Sequence, residues 1–430
     1  MWGLSRAHSS RAANATVART VAAFDLKPAP LPSAQPWSTA QSSALQRALR
    51  DAFTPALAGA ERWSLVVLGA DGQPLYDDRA AHAVAPASTA KLVVAAAALG
   101  VLGGDFRYHT VFAAQQPIDS NGLLDGNLWL AGSGDPSLRA DDLRNGVGVL
   151  ARTGLRRVSG SAAVDPSAMH GPEFNPHWDP DDAGEDYAAP TNALSIDGDT
   201  IESHKTVDGI DERFWTPVHD VPRYAAGMLD RILVQRGIAT GVRPLVGTSP
   251  LDSIVLWDHR SAPLRTLEGH MLFFSDNHYA EQLLRTLGGE SDGAADDAAG
   301  LAVERRFLSE RGIPETGLRL NDGSGLSDDD RIAAITLARL LSDAQLRGGD
   351  ASLYLLLPQG GEQGTLRHYD FTTARGRIRA KSGHISGVSA LAGYANTLHH
   401  GRVVFAFAVN GSPGDSDAAM VRAIDRLVEF

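Results

Sequence analysis

Residues 85–104 read APASTAKLVVAAAALGVLGG, and from Leu92 to Gly104 no polar side chain interrupts the run. A helix that is apolar all round cannot lie on a surface and has to be enclosed. A bilayer span needs about 20 apolar residues, so this run is too short to cross one and predicts a core helix. Pro86 fits the first turn of such a helix, where its missing N–H costs nothing. Helical spacing then puts Ser88 and Lys91, positions i and i+3, about 5 to 6 Å apart on one face.

The lysine stands out because the chain holds only four, at 27, 91, 205 and 381, among 39 basic residues. Serine is a poor nucleophile at neutral pH and needs a neighbouring base. A buried lysine can serve once its pKa is depressed, whereas arginine stays charged. Taken alone, the pair fits equally well a helix-start serine beside a snorkelling lysine.

Two further clusters bear on that choice. Lys381-Ser382-Gly383 opens the strand-like segment KSGHISGVSALAGY. There a cation and a hydroxyl could hold a carboxylate, and a glycine lets a ligand backbone approach the strand edge. Ser275-Asp276-Asn277 lies between two helical stretches, offering a hydroxyl to relay a proton and an amide to grip a peptide bond. Each cluster is a weak signal without the others.

Composition narrows the partners. A net charge of −12 and a pI near 5.6 disfavour nucleic acid and anionic membrane surfaces, which attract clustered positive charge. With no cysteine in the chain, disulfides, thiolate nucleophiles and cysteine metal sites are excluded. Arg19 interrupts the only stretch that could form the apolar region of a signal peptide, so no clear export signal is expected. Residues 1–36, ending in the proline-rich PAPLPSAQP, read as tail and linker.

Residues 37–104 and 265–430 read as one domain. SALQRALRDAFTPAL predicts a helix, and RWSLVVLGADGQPLYDDR predicts two strands around Asp71-Gly72. ARGRIRAKSG, SALAGYANTL and RVVFAFAVNGS predict three more, followed by a last helix. These ends together imply an α+β fold with an antiparallel sheet of about five strands flanked by helices. Residues 105–264 change to short strands and Gly- or Pro-rich turns and read as an inserted accessory domain.

Ser-x-x-Lys, Ser-Asp-Asn and Lys-Ser-Gly, in that order, resemble the motif triple of the serine β-lactamase and penicillin-binding-protein superfamily. LAGSGDPSL, YAAPTNALSIDGDTI, NDGSGLS, GTLR and RAKSGHISGVSALAGY, at 130–138, 187–201, 321–327, 364–367 and 379–394, extend the resemblance. From about residue 40 onward the chain is similar to D-alanyl-D-alanine carboxypeptidase/endopeptidases of the penicillin-binding protein 4 (DacB) type, peptidase family S13. The resemblance implies a penicillin-binding, β-lactamase-like fold, peptidoglycan stem peptides and cross-links as substrates, β-lactams as covalent inhibitors and an extracytoplasmic location. It implies no metal and no organic cofactor. Ser88 would be the nucleophile, Lys91 its base, Ser275 the proton relay and Lys381 an electrostatic aid. Asn277 would hold the substrate amide, Ser382 and Lys381 the terminal carboxylate, and the N–H groups of Ser88 and His384 the oxyanion, with Gly383 between them.

Ser382 departs from the threonine usual in the family, and the inserted segment is shorter than in many members. A class A β-lactamase fits less well, because 187 positions separate Ser88 from Ser275 and no Glu-x-x-Leu-Asn-like segment follows to supply a deacylating base. The motifs are also compatible with a serine esterase of the same superfamily and with a non-catalytic peptidoglycan- or penicillin-binding protein. Asp135 and Asp322, in Gly-rich turns, read as caps of their own backbone. His399-His400 reads as a solvated turn, and the acidic run 179–186 as a solvated loop.

Overall fold

The computed structural model describes residues 34–430, apart from 208–209, 242, 348–352 and 413–414. Most of the stretch expected to be tail and linker, residues 1–33, lies outside the described residues. Helix α1 (Thr39–Leu57) begins at a capping box in which Ser38 and Gln41 satisfy each other's backbone N–H. Its apolar stripe of Leu45, Leu49, Ala52, Phe53 and Ala56 is buried. Strands β1 (Arg62–Leu68) and β2 (Pro74–Asp78) pair antiparallel around the Asp71-Gly72 turn.

A 3-10 turn (Ala87–Ala90) then leads into α2 (Lys91–Val101), in which every residue from Lys91 to Leu99 is buried. The α-helix therefore starts five residues after Pro86, the residue expected in its first turn, and Ser88 belongs to the tighter turn. A 3-10 turn has three residues per revolution, so positions i and i+3 eclipse. Ser88 consequently sits in line with Lys91, more closely matched than α-helical geometry would make it.

The segment that follows builds a second sheet. It contains β3 (His109–Ala114), β4 (Leu128–Gly132), α3 (Ala140–Arg152), β5 (Ala162–Asp165), the hairpin β6 (Thr200–Val207) and β7 (Ile210–Pro217), α4 (Val221–Gln235), β8 (Leu245–Val246) and β9 (Ile254–Arg260). The sheet order is β8-β5-β4-β3-β9, mixed parallel and antiparallel. Phe112, Leu130, Leu143, Val147, Leu229 and Leu233 form part of a core of its own under α3 and α4.

Helices α5 (Leu264–Phe274), α6 (Asn277–Asp292), α7 (Asp297–Glu310) and α8 (Ala334–Arg347) come next. After them run β10 (Ile378–Ile385), β11 (Val388–Asn396), β12 (Arg402–Asn410) and α9 (Ser416–Val428). The principal sheet is antiparallel throughout, in the order β10-β11-β12-β1-β2, so both ends of the chain build it. Helices cover both of its faces, which is why LVVL and VVFAFAV read as continuous apolar runs. Val66, Leu68, Val404 and Ala406 join the core containing α2 and α5 to α8. Leu65, Val67, Phe405 and Phe407 join the core containing α1 and α9.

His400 departs from the expected solvated turn: it is 2 % exposed, and its ring stacks on Trp37 at 4.0 Å. Its Nδ1 also lies 2.7 Å from the Gln35 carbonyl. The aromatic stack needs a residue some 360 positions away in the chain, so local sequence could not announce it. Among the described residues no helix is long and apolar enough to cross a membrane.

Phe407, fully enclosed and edge-on to Phe53 at 5.0 Å, tests the layer remote from α2. Phe407→Ala is expected to lower stability by about 3 to 5 kcal/mol, read as a lower urea midpoint, while the protein that remains folded keeps its reactivity at Ser88.

Candidate active site

Lys91 is completely buried, and its Nζ makes three contacts: Ser88 Oγ at 3.0 Å, Asn277 Oδ1 at 2.6 Å and the Ser324 carbonyl at 2.7 Å. The orientation of the Asn277 amide follows from its other end, where Nδ2 donates to the Tyr187 carbonyl at 2.9 Å. Asn277 Oδ1 and the Ser324 carbonyl can only accept. A neutral amine has two N–H groups and one lone pair, so two N–H groups committed to these oxygens leave the lone pair facing the Ser88 hydroxyl. Burial pushes the Lys91 pKa down to about 8, against the charges of Asp322, Glu281 and Asp276, which draw it upward. A substantial fraction is therefore neutral at mildly alkaline pH.

A second network surrounds Lys381, also fully buried, whose Nζ donates to Ser275 Oγ at 2.9 Å and to the Ser382 carbonyl at 2.5 Å. Burial, reinforced by the positive charge of Lys91, drives its pKa well below the ordinary lysine value. The two lysines are thus neighbours that disfavour simultaneous protonation.

The break between α5 and α6 serves both networks. Ser275 closes α5 in the left-handed conformation (φ 60°, ψ 39°), and Asp276 caps α6 by accepting from the Tyr279 N–H at 3.2 Å. His270 Nε2, 3.2 Å from Asp276 Oδ2, braces the cap. With Asp276 so occupied, the residues on either side reach different lysines: Ser275 meets Lys381, and Asn277 meets Lys91.

Strand β10 closes the site from the other side. A Cβ on Gly383 would fall 2.8 Å from the Pro86 carbonyl and 2.9 Å from the Ser88 nitrogen, so a bare α-carbon is what lets this strand lie against the nucleophile's backbone. Ser382 Oγ donates to Thr365 Oγ1 at 2.8 Å. His384 Nε2 is engaged by both Asp417 carboxylate oxygens at 3.0 Å, which leaves its main chain as the part available to a ligand beside Ser88.

The structure thus places Ser88, Lys91 and Asn277 in one network and Ser275, Lys381 and Ser382 in another, with Gly383 against Ser88. Sequence reasoning missed the Ser324 and Tyr187 carbonyls and the Thr365 hydroxyl as participants. All three lie in segments that carry the family resemblance, but a backbone carbonyl has no side-chain signature. Asp322 accepts from the N–H groups of Gly325 and Ser327 at 2.6 and 2.8 Å and from Trp178 Nε1 at 2.9 Å, making it the cap of the 321–327 turn. Asp135 caps Ser137 in the same way.

An antiparallel five-stranded sheet, an enclosed helix carrying Ser88 and Lys91 at its head, and two further polar clusters converging on them define the penicillin-binding, β-lactamase-like class of serine enzymes. Residues 41–209 and 206–430 match the family described as D-Ala-D-Ala carboxypeptidase 3 (S13), and the chain belongs to that family. It is a serine peptidase of the D-Ala-D-Ala carboxypeptidase class, acting on peptidoglycan. The D-alanyl-D-alanine carboxypeptidase of Actinomadura sp. (strain R39) is 30 % identical over 446 aligned positions, covering 87 % of this chain and 82 % of that one. Penicillin binding protein 4 (dacB) of Haemophilus influenzae superposes with a TM-score of 0.81 at 23 % identity, over 88 % of this chain and 98 % of that one. The penicillin G-acylated endopeptidase Bd3459 of Bdellovibrio bacteriovorus, in complex with immunity protein Bd3460, superposes with a TM-score of 0.52 at 16 % identity, over 85 % and 88 %.

Lys91→Arg is expected to fold and keep its charge yet lose acylation by a fluorescent penicillin, since a guanidinium offers no lone pair at these pH values. In the wild type the acylation rate is expected to rise with pH through about 8 as Lys91 loses its proton, checked by rates measured from pH 6 to 10.

Proposed function

We propose that the enzyme cleaves D-Ala-D-Ala and cross-link peptide bonds through an acyl-enzyme on Ser88. As the Lys91 amine takes the hydroxyl proton, Ser88 Oγ bonds to the carbonyl carbon. The resulting oxyanion is received by the N–H groups of Ser88 and His384. Collapse breaks the C–N bond, and the proton that Lys91 took is handed on through Ser275, beside Lys381, to the departing amine. Water then hydrolyses the ester and restores Ser88. Lys381 and the Ser382 hydroxyl receive the terminal carboxylate, and the second N–H of the Asn277 amide, beyond the one given to Tyr187, serves the substrate peptide.

The observation that carries this reading is the pair of acceptor-only oxygens on Lys91 Nζ, which supports the amine as proton acceptor for Ser88. The same attack opens a β-lactam ring. With no Glu-x-x-Leu-Asn-like segment to supply a deacylating base, the penicilloyl ester persists, which makes such compounds inhibitors. A peptidoglycan substrate supports a location outside the cytoplasmic membrane. Residues 105–264 form an accessory domain that contributes to the site through Tyr187 and through Ser195, whose Oγ lies 2.6 Å from His278 Nε2.

A fluorescent penicillin is expected to label the wild type and not Ser88→Ala, and the wild type is expected to release D-alanine from a pentapeptide muropeptide. Mass analysis of digests of monomeric and cross-linked muropeptides distinguishes carboxypeptidase from endopeptidase action. Folded wild type that neither labels nor releases D-alanine would turn the reading to a binding protein. Penicillin turnover near the enzyme median of about 10 per second would turn it to a β-lactamase.

A further inference from the structure

Glu281 is 1 % exposed and stands one helical turn beyond Asn277 on α6, on the face that looks toward Lys91. Its Oε1 accepts from the Ser324 N–H at 2.8 Å and from the Gly323 N–H at 3.2 Å, and its Oε2 from the Gly323 N–H at 3.3 Å. The turn it grips is the one whose Ser324 carbonyl holds Lys91. Gly323 admits this approach: a Cβ there would come within 2.8 Å of the Ala280 carbonyl on α6.

One helix therefore reaches Lys91 by two routes, directly through Asn277 and indirectly through Glu281 and the Ser324 peptide. Asp322 shapes the rest of this turn by capping Gly325 and Ser327, but only Glu281 grips the N–H of the residue whose carbonyl meets the amine. Burying a carboxylate is costly, and here its backbone donors belong to the turn whose Ser324 carbonyl meets the Lys91 amine.

We infer that Glu281 is a positioning residue of the acylation step, clamping Gly323 and Ser324 so that the Ser324 carbonyl turns the Lys91 amine onto Ser88. The inference rests on the proposed acyl-enzyme at Ser88. Charged neighbours enter as well: Asp322, Glu281, Asp276 and Lys381 all act on Lys91, and Asp322, Asp297 and Glu304 act on Glu281. Burial and Asp322 lift the Glu281 carboxyl to about 8, into the range where Lys91 titrates. From about pH 8 upward, where that carboxyl is ionised, its charge stabilises ammonium at Lys91; glutamine removes the charge there, so the upper part of the rising limb of the acylation profile moves to lower pH.

The test measures fluorescent-penicillin acylation of wild type, Glu281→Gln and Glu281→Asp against pH, with thermal unfolding recorded for each. Glutamine replaces one acceptor oxygen by an NH2 that faces the same donors, and aspartate falls short by one methylene. Wild-type labelling, absent in Ser88→Ala, is established first, so failure of the acyl-enzyme reading shows before any variant is compared. Both variants are expected to acylate about 100-fold more slowly with little change in reversible affinity for the penicillin, and Glu281→Gln is expected to show the upper part of the limb at lower pH. A merely structural role lowers the unfolding temperature but leaves the rate and the limb of the folded fraction in place, and that result overturns the inference. If the glutamine variant does not fold, the aspartate variant decides by its rate alone.

Discussion

An amine sealed from solvent and held by two oxygens that can only accept is the constraint from which the rest of the site follows. In water Lys91 would titrate at the ordinary lysine value of about 10.4 and offer almost no neutral amine at mildly alkaline pH. Enclosure by α2 and its neighbours lowers its pKa to about 8, and Asn277 and Ser324 use the two N–H groups of the neutral form. On the proposed reading of Lys91 as the base, desolvation raises its neutral fraction and hydrogen bonding aims it. Neither suffices alone: burial without acceptors would leave the amine undirected, and acceptors without burial would leave its pKa at the ordinary lysine value.

The architecture serves that arrangement by bringing three remote parts of the chain to one point. Helix α2 is held rigid by being apolar on every side, with each fully buried Leu or Val contributing about 1.5 to 3 kcal/mol. The α5–α6 break delivers Ser275 and Asn277 to different lysines because Asp276 between them is spent on capping α6. Strand β10, at the edge of the principal sheet, lies against the Ser88 amide where Gly383 removes the obstacle. The 321–327 turn, capped by Asp322 and gripped by Glu281, supplies the carbonyl that completes the amine's surroundings.

Much of the fold was legible because burial leaves periodic marks. Leu92–Leu102, apolar all round, announced an enclosed helix, and the strand-like runs near both ends of the chain announced an antiparallel sheet of about five strands flanked by helices. The candidate chemistry was legible because lysine is scarce in this chain and two of its four lysines sit in motifs. Less visible was the 3-10 turn at Ala87–Ala90: Ser-Thr-Ala carries no preference strong enough to separate it from the first turn of an α-helix. The burial of His400 escapes local sequence for a related reason, since it depends on Trp37 arriving from the far end of the chain.

By itself the sequence determined which side chains have the right chemistry: a hydroxyl and a primary amine three residues apart, a second hydroxyl and an amide two apart, and a lysine followed by a hydroxyl and a glycine. Those are properties of residue type and short spacing, which neighbouring positions impose on each other. Only the tertiary structure decided which lysine faces which serine, that Asn277 and Ser324 place acceptor oxygens on the Lys91 amine, and that Glu281 reaches the Ser324 peptide. These depend on distances between segments as many as 293 positions apart, from Ser88 to Lys381, and on backbone carbonyls that every residue possesses. Such groups acquire a role only when packing brings them within about 3 Å of a donor.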